Sequence, residues 1–167
     1  MAKTRLLLSL SGILLMTACS GVVLSHDEDA AAKSALDFAR VAFIDHDART
    51  AYPLISEEAR KNVPPEQFSE ILAKQHPAGY PATITASQFE PIPGQKALSI
   101  ILVGENATEK FYYRLIMVGT APTGYTVGGF LRGNGPYTGN PQMHGAKLLQ
   151  PLKAGYTISG EKPSTKS

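Results

Sequence analysis

The segment Lys110-Phe111-Tyr112-Tyr113-Arg114-Leu115-Ile116-Met117-Val118 decides the architecture of this chain. Aromatic and branched residues dominate it, as in β-strands. Alternate side chains of a strand point to opposite faces, so Phe111, Tyr113, Leu115 and Met117 share one face and Tyr112, Arg114, Ile116 and Val118 the other. Both rows are largely apolar. A strand of this kind lies inside a sheet, with helices over one face and further cover over the other. Working outward, residues 82–90, 97–103 and 125–132 have a similar composition. They are joined by Pro91-Ile92-Pro93-Gly94, Glu105-Asn106-Ala107-Thr108 and Thr120-Ala121-Pro122-Thr123-Gly124. Connections this short predict an antiparallel meander of about four strands. Gly128-Gly129 interrupts the last strand and predicts a bulge or a sharp bend.

Upstream of residue 82 the apolar period lengthens from two to between three and four. Ala32, Ala35, Leu36, Ala39, Ala42 and Phe43 form one stripe along residues 30–45, with Lys33, Asp37 and Arg40 on another face. Phe43 is expected to pack against the sheet together with Leu36 and Ala39. A second short helical turn follows over residues 49–55. Ser56, with Glu57 and Glu58 after it, offers an N-cap and an acidic first turn for a third helix. Residues 65–74 begin with proline in the first turn and direct Phe68, Ile71 and Leu72 inward. The run His76-Pro77-Ala78-Gly79-Tyr80-Pro81 ends helical structure. The expected fold is therefore α+β, with N-terminal helices packed on a curved antiparallel sheet, in one domain over residues 30–132. Residues 133–167 are rich in Gly, Pro, Asn and Ser and predict an irregular extension. At most a docked segment is expected there, held by Leu148, Leu149 and residues 156–158, with a tail from about residue 160.

The helical segment Ala35-Leu36-Asp37-Phe38-Ala39, the turn Thr50-Ala51-Tyr52-Pro53-Leu54-Ile55-Ser56 and the strand Gly124-Tyr125-Thr126-Val127-Gly128-Gly129-Phe130 together resemble the NTF2-like superfamily. That resemblance implies a cone in which a bent sheet wraps around helices and often leaves a pocket at its open end. Tyr125 stands where many relatives carry Trp, and this chain has no Trp. The superfamily includes isomerases, dehydratases, transport factors and lipoproteins, so the fold implies no single activity.

The first residues carry a different message. Lys3 and Arg5 precede the apolar run 6–16, and the small residues Thr17 and Ala18 precede Cys19, which is the three-part pattern of a secretory signal over residues 1–18. The run is too short to span a bilayer, which takes about 20 residues. Cys19 is the only cysteine, so neither an internal disulfide nor a Cys-based zinc site is available. The segment resembles the signal and lipobox of bacterial lipoproteins, with Met16 where Leu is usual. The resemblance implies that Cys19 receives diacylglycerol and becomes the mature N-terminus. Residues 19–29 would then be a polar, acidic tether and the membrane a partner through the lipid. Ser20, in place of Asp, implies by the same resemblance an outer-membrane location facing the periplasm.

Charge narrows the remaining possibilities. The chain has 16 Lys and Arg against 14 Asp and Glu, and removing Lys3 and Arg5 with the signal makes the two counts equal. No basic face of the kind that binds nucleic acid is expected. Gly128-Gly129 and Gly133-Asn134-Gly135 lack the strand-to-helix context and the Lys-Ser/Thr ending of a phosphate loop, and no Gly-x-Ser-x-Gly occurs. No cofactor is expected. Asp45-His46-Asp47 is the densest ionisable cluster, yet neighbouring side chains on a helix diverge by about 100° and do not converge on one metal. It is expected to be a helix end at which one Asp caps the next turn, and no metal ligand or catalytic residue is assigned. His76 and His144 are each candidates to meet Asp45 as an acid–base pair. Tyr52, Tyr112 and Arg114 are the candidate ligand-binding residues. Arg114, set in an apolar strand, needs either a carboxylate partner or an anionic ligand. The expected function is a lipid-anchored periplasmic binding or accessory module receiving an envelope protein, a peptide or a small amphipathic ligand. The alternatives are a small pocket enzyme using Asp, His or Tyr, and a structural envelope component. A deep cavity with converging Asp, His and Tyr would favour the enzyme; a filled cone with an apolar outer patch would favour the binding module.

Overall fold

The computed structural model describes residues 26–77, 79–139 and 149–160. The signal segment 1–18, Cys19, residues 20–25 of the tether, His144 and the tail beyond Gly160 lie outside the described residues. Helix α1 (Glu28–Ala39) opens on Asp27, whose carboxylate accepts from the Ala30 amide at 2.9 Å, and Glu28 and Asp29 face its positive N-terminal dipole. The expected helix over residues 30–45 is not uniform: its last turn, Arg40–Ile44, is π-helical. The buried face is also wider than the expected stripe, since Ala31 and Phe38 are as fully enclosed as Leu36, Ala39 and Phe43.

Short elements follow. Helix α2 (Ala48–Ala51) is capped by Asp47, which accepts from the Thr50 amide at 3.0 Å and from the Thr50 hydroxyl at 2.6 Å. The chain then tightens into a 3₁₀ turn, Tyr52–Leu54, with Pro53 at its start where the missing amide is no loss. Ser56 caps α3 (Glu57–Asn62), and α4 (Pro65–Gln75) carries its proline at the first position.

Five strands form one open antiparallel sheet: β1 (Thr83–Pro91), β2 (Ala97–Glu105), β3 (Lys110–Thr120), β4 (Gly124–Gly133) and β5 (Gln150–Ser159), in the order β4-β3-β2-β1-β5. The meander β1 to β4 is the expected one. Strand β5 is a correction, because it arises in the stretch where only a docked segment is expected. The free edge of β1 supplies its backbone partners, and Leu152, Tyr156 and Ile158 pack against the core, so modest apolar content suffices for an edge strand.

The helices cover one face of the sheet, called here the inner face. Its core is built by Ile84, Ala86 and Phe89 of β1, Leu98, Ile100 and Leu102 of β2, and Phe111, Tyr113, Leu115 and Met117 of β3, together with the α1 residues above. Two bulges shape the sheet. Gly128 has no partner in β3, since Ile116 pairs with Gly129 and Met117 with Val127, and a Cβ at Gly128 would come within 2.5 Å of the Val118 side chain. Ser87 is likewise unpaired against β2, where Ala86 faces Leu102 and Gln88 faces Ile101. That single extra residue inverts the alternation of β1. Phe89 turns inward and Glu90 turns to the outer face.

Cover on the outer face is uneven. Ala97, Ser99, Ile101 and Glu90 are buried there, whereas Val118 is 39% and Leu131 60% exposed. Strands β4 and β5 occupy opposite edges, so the chain leaving β4 at Gly133 has to cross the sheet to reach Gln150. Residues 134–139 begin that crossing over the outer face. Tyr137 reaches Glu90 of β1, and a Cβ on Gly139 would stand 3.7 Å from Glu90 Oε1.

Phe43 stacks on Tyr113 at 4.6 Å and meets Phe38 edge-on at 5.6 Å. Phe43→Ala should therefore destabilise the domain by about 3–5 kcal/mol. Asp47→Ala, which removes a solvent-exposed cap, should shift the midpoint far less. Urea denaturation of both variants checks the contrast, and a harmless Phe43→Ala would contradict the packing described.

Candidate functional site

The outer-face site is built on Arg114. This residue pairs with Ile101 on one side and Leu131 on the other, which fixes its side chain on the outer face of the central strands. Its Nε donates to the buried Ser99 hydroxyl at 2.9 Å. Its Nη2 lies 3.9 Å from Glu90 Oε2, which is ion-pair range but too long for a hydrogen bond. The same Glu90 oxygen accepts from the Tyr137 hydroxyl at 2.7 Å, and the guanidinium carbon sits 5.1 Å from the Tyr137 ring centre. Burial, reinforced by this hydrogen bond to an anionic acceptor, pushes the Tyr137 phenol up to about 12. Tyr137 thus stays protonated and latches the crossing segment to the sheet.

Beside this latch lies a cavity of about 280 Å³, lined by Tyr112, Tyr113, Arg114, Leu131, Arg132, Gly133, Gly135 and Tyr137. Its walls are mainly apolar. Two cations line it. Arg132 is engaged elsewhere, by the Gln75 carbonyl at 2.7 Å and by Glu109 at 3.4 Å, whereas the Arg114 side chain is 22% exposed and its two terminal nitrogens have no hydrogen-bond acceptor among the described residues. A guanidinium offers five N–H donors in a fixed fork, and among the described residues only the Nε donor meets an acceptor.

A second polar cluster lies on the inner face, between α4 and β3. His76 Nδ1 is 2.8 Å from the Leu72 carbonyl, which can only accept, so Nδ1 carries the proton. Nε2 must then accept from the Tyr113 hydroxyl, also at 2.8 Å. Burial lowers the proton affinity of His76 against the opposing pull of the Leu72 carbonyl, and the charges of Arg132 and His46 lower it further. Burial likewise pushes the Tyr113 phenol up. Tyr80 stacks on His76 at 4.3 Å, and the ring of His46 lies 3.8 Å from that of Tyr80. Every polar atom of the His76 and Tyr113 side chains is used within the protein. The pair therefore bolts α4 to β3 and leaves no group free to act on a substrate.

Of the candidate ligand residues, Tyr112 and Arg114 come together and Tyr52 does not join them. Its hydroxyl donates to the Val63 carbonyl at 2.9 Å and its ring packs edge-on against Phe68, so Tyr52 fastens the segment between α2 and α4. His76 does not meet Asp45, which is exposed at the helix end, and His144 lies outside the described residues. Among the described residues no three His, Cys, Asp or Glu side chains stand where they could hold a metal ion, and no helix is long and apolar enough to cross a membrane. Glu90, Ser99 and Tyr137 complete the outer-face cluster and are absent from the sequence-based candidates. A carboxylate at the end of an apolar strand was the available signal for Glu90. No protein-family model matches this chain, and no curated protein or solved structure matches it either.

The His76–Tyr113 bond sets a pH dependence. As pH falls below the ordinary histidine value of about 6.5, the unfolded chain takes up the proton before the folded one does. The stabilising effect of a neutral His76 is thus complete above that pH and is lost as pH falls towards the lower folded-state value. The stability lost between about pH 7.5 and about pH 5.5 should shrink in His76→Gln, measured by urea denaturation at each pH. Tyr113→Phe, which strips Nε2 of its donor, should cost about 1–3 kcal/mol at neutral pH.

Proposed function

We propose that this protein is a lipid-anchored binding module of the bacterial cell envelope, of the NTF2-like kind, whose recognition surface is the outer face of its sheet. The anchoring part of the reading draws on the signal pattern and Cys19. The observation that carries the rest is the division between the two faces. Phe38, Phe43, Phe111 and Tyr113 fill the inner face beneath α1, and the cavity of about 160 Å³ left beside Phe68 and Phe130 has no titratable side chain in its lining, which speaks against a pocket enzyme working there. The outer face keeps Leu131 uncovered at the wall of the Arg114 cavity, and Val118 uncovered farther along β3. Exposed apolar residues around an under-used polar group favour recognition over a purely structural role.

Two measurements test the two halves of this reading. Cys19→Ser should lose the acyl chains from the intact mass and leave the membrane fraction, because each buried methylene of such a chain contributes about 0.8 kcal/mol to membrane attachment; a variant that remains membrane-bound overturns the anchor. For the surface, the full chain with labelled leucine methyl groups is titrated with fluorobenzene, an uncharged apolar probe. The Leu131 methyl resonances should shift while those of the enclosed Leu102 stay fixed. A Leu131 resonance that does not respond removes the outer face as the binding surface.

A further inference from the structure

Resting on that reading of the outer face, we infer that the Arg114 cavity is a site for a small carboxylate with an aromatic or otherwise apolar body. Arg114 lines the cavity, and its two terminal guanidinium nitrogens have no hydrogen-bond acceptor among the described residues. A planar fork of parallel N–H groups matches the two oxygens of a carboxylate, which takes two bonds at once. Glu90 does not take that place, since its nearer oxygen stands 3.9 Å from Nη2 and receives the Tyr137 hydroxyl instead. The guanidinium is held in position for such a ligand. Ser99 fixes Nε from below and the Tyr137 ring packs against the guanidinium plane, so little side-chain freedom is lost when an acceptor arrives.

The walls specify the rest of the ligand. Tyr112, Leu131 and Tyr137 offer ring and aliphatic surface, and Gly133 and Gly135 bring backbone close without side chains. A cavity of about 280 Å³ falls just below the usual range for drug-sized ligands, roughly 300–1,000 Å³, which restricts the guest to one ring or a short chain beyond the carboxylate. Arg114 is a binding residue in this assignment, and Ser99 and Tyr137 are positioning residues.

The test compares 3-(4-fluorophenyl)propionate with its amide, two probes that differ only in the acidic group. Fluorine resonances are followed on adding the full chain held in lipid nanodiscs, with empty nanodiscs as the blank. The carboxylate should bind at least about ten-fold more tightly than the amide, and Arg114→Gln should reduce it to the level of the amide. Equal binding of the two probes to the unaltered chain overturns the carboxylate inference without any variant being needed. Leu131 methyl shifts with both probes would then leave the binding-surface reading standing. A carboxylate preference that survives in folded Arg114→Gln also overturns the assignment. If neither probe binds and fluorobenzene leaves Leu131 unmoved, the inference and the reading beneath it both fall.

Discussion

The placement of β4 and β5 at opposite edges of one sheet is the constraint from which the outer face takes its form. A chain that ends one edge strand and must begin the other has to run across a face of the sheet or around its end. The inner face is covered by α1 and its π-helical turn, and residues 134–139, the described start of that connection, lie over the outer side. Once there, Tyr137 needs polar partners on a surface made of strands. Glu90 and Arg114 supply them, and Ser99 supplies the support for Arg114. A bulge at Ser87 is what makes Glu90 available on that side.

The inner face follows a different logic. Aromatic rings from the helices meet aromatic rings from β3 and β4, with Phe130 contacting Phe38, Phe43 and Phe68. Such rings bury large apolar areas and add edge-on or stacked contacts, which suits a small domain that has no disulfide to support it. His76 and Tyr113 enter this region as a pair that satisfies each other. The two faces thus separate stability from recognition: one is packed around paired polar groups such as His76 and Tyr113, and the other keeps exposed apolar side chains and, among the described residues, guanidinium donors without an acceptor.

Much of this was legible along the chain because the deciding signals are local. The double apolar row of β3, the Asp47 and Ser56 caps, and the bulge at Gly128 all follow from neighbouring residues. What escaped depends on distant partners. Strand β5 contains Pro151, Lys153 and Gly155 and has little strand character of its own; the free edge of β1 makes it a strand. Glu90 reads as inward-facing if β1 alternates regularly from Ile84, and one unpaired residue reverses it. Tyr137 sits in a Gly-Asn-Gly-Pro context that signals turns and says nothing about what the ring covers. Half of the site, Tyr112 and Arg114, was therefore visible from the pattern of β3, while the half that positions Arg114 was not.

Tyr125 gives the domain a polarity. Its hydroxyl accepts the Asp27 amide at 2.8 Å, so the segment upstream of α1 joins the fold beside the first residues of β4. The Arg114 cavity lies at the other end of that strand, against Gly133. Strand β4 is ten residues long, so at about 3.3 Å per residue its ends are roughly 30 Å apart. Anything attached to the upstream segment would hold the domain by one pole and present the cavity at the other, so the guest would approach from the solvent side without passing the attachment.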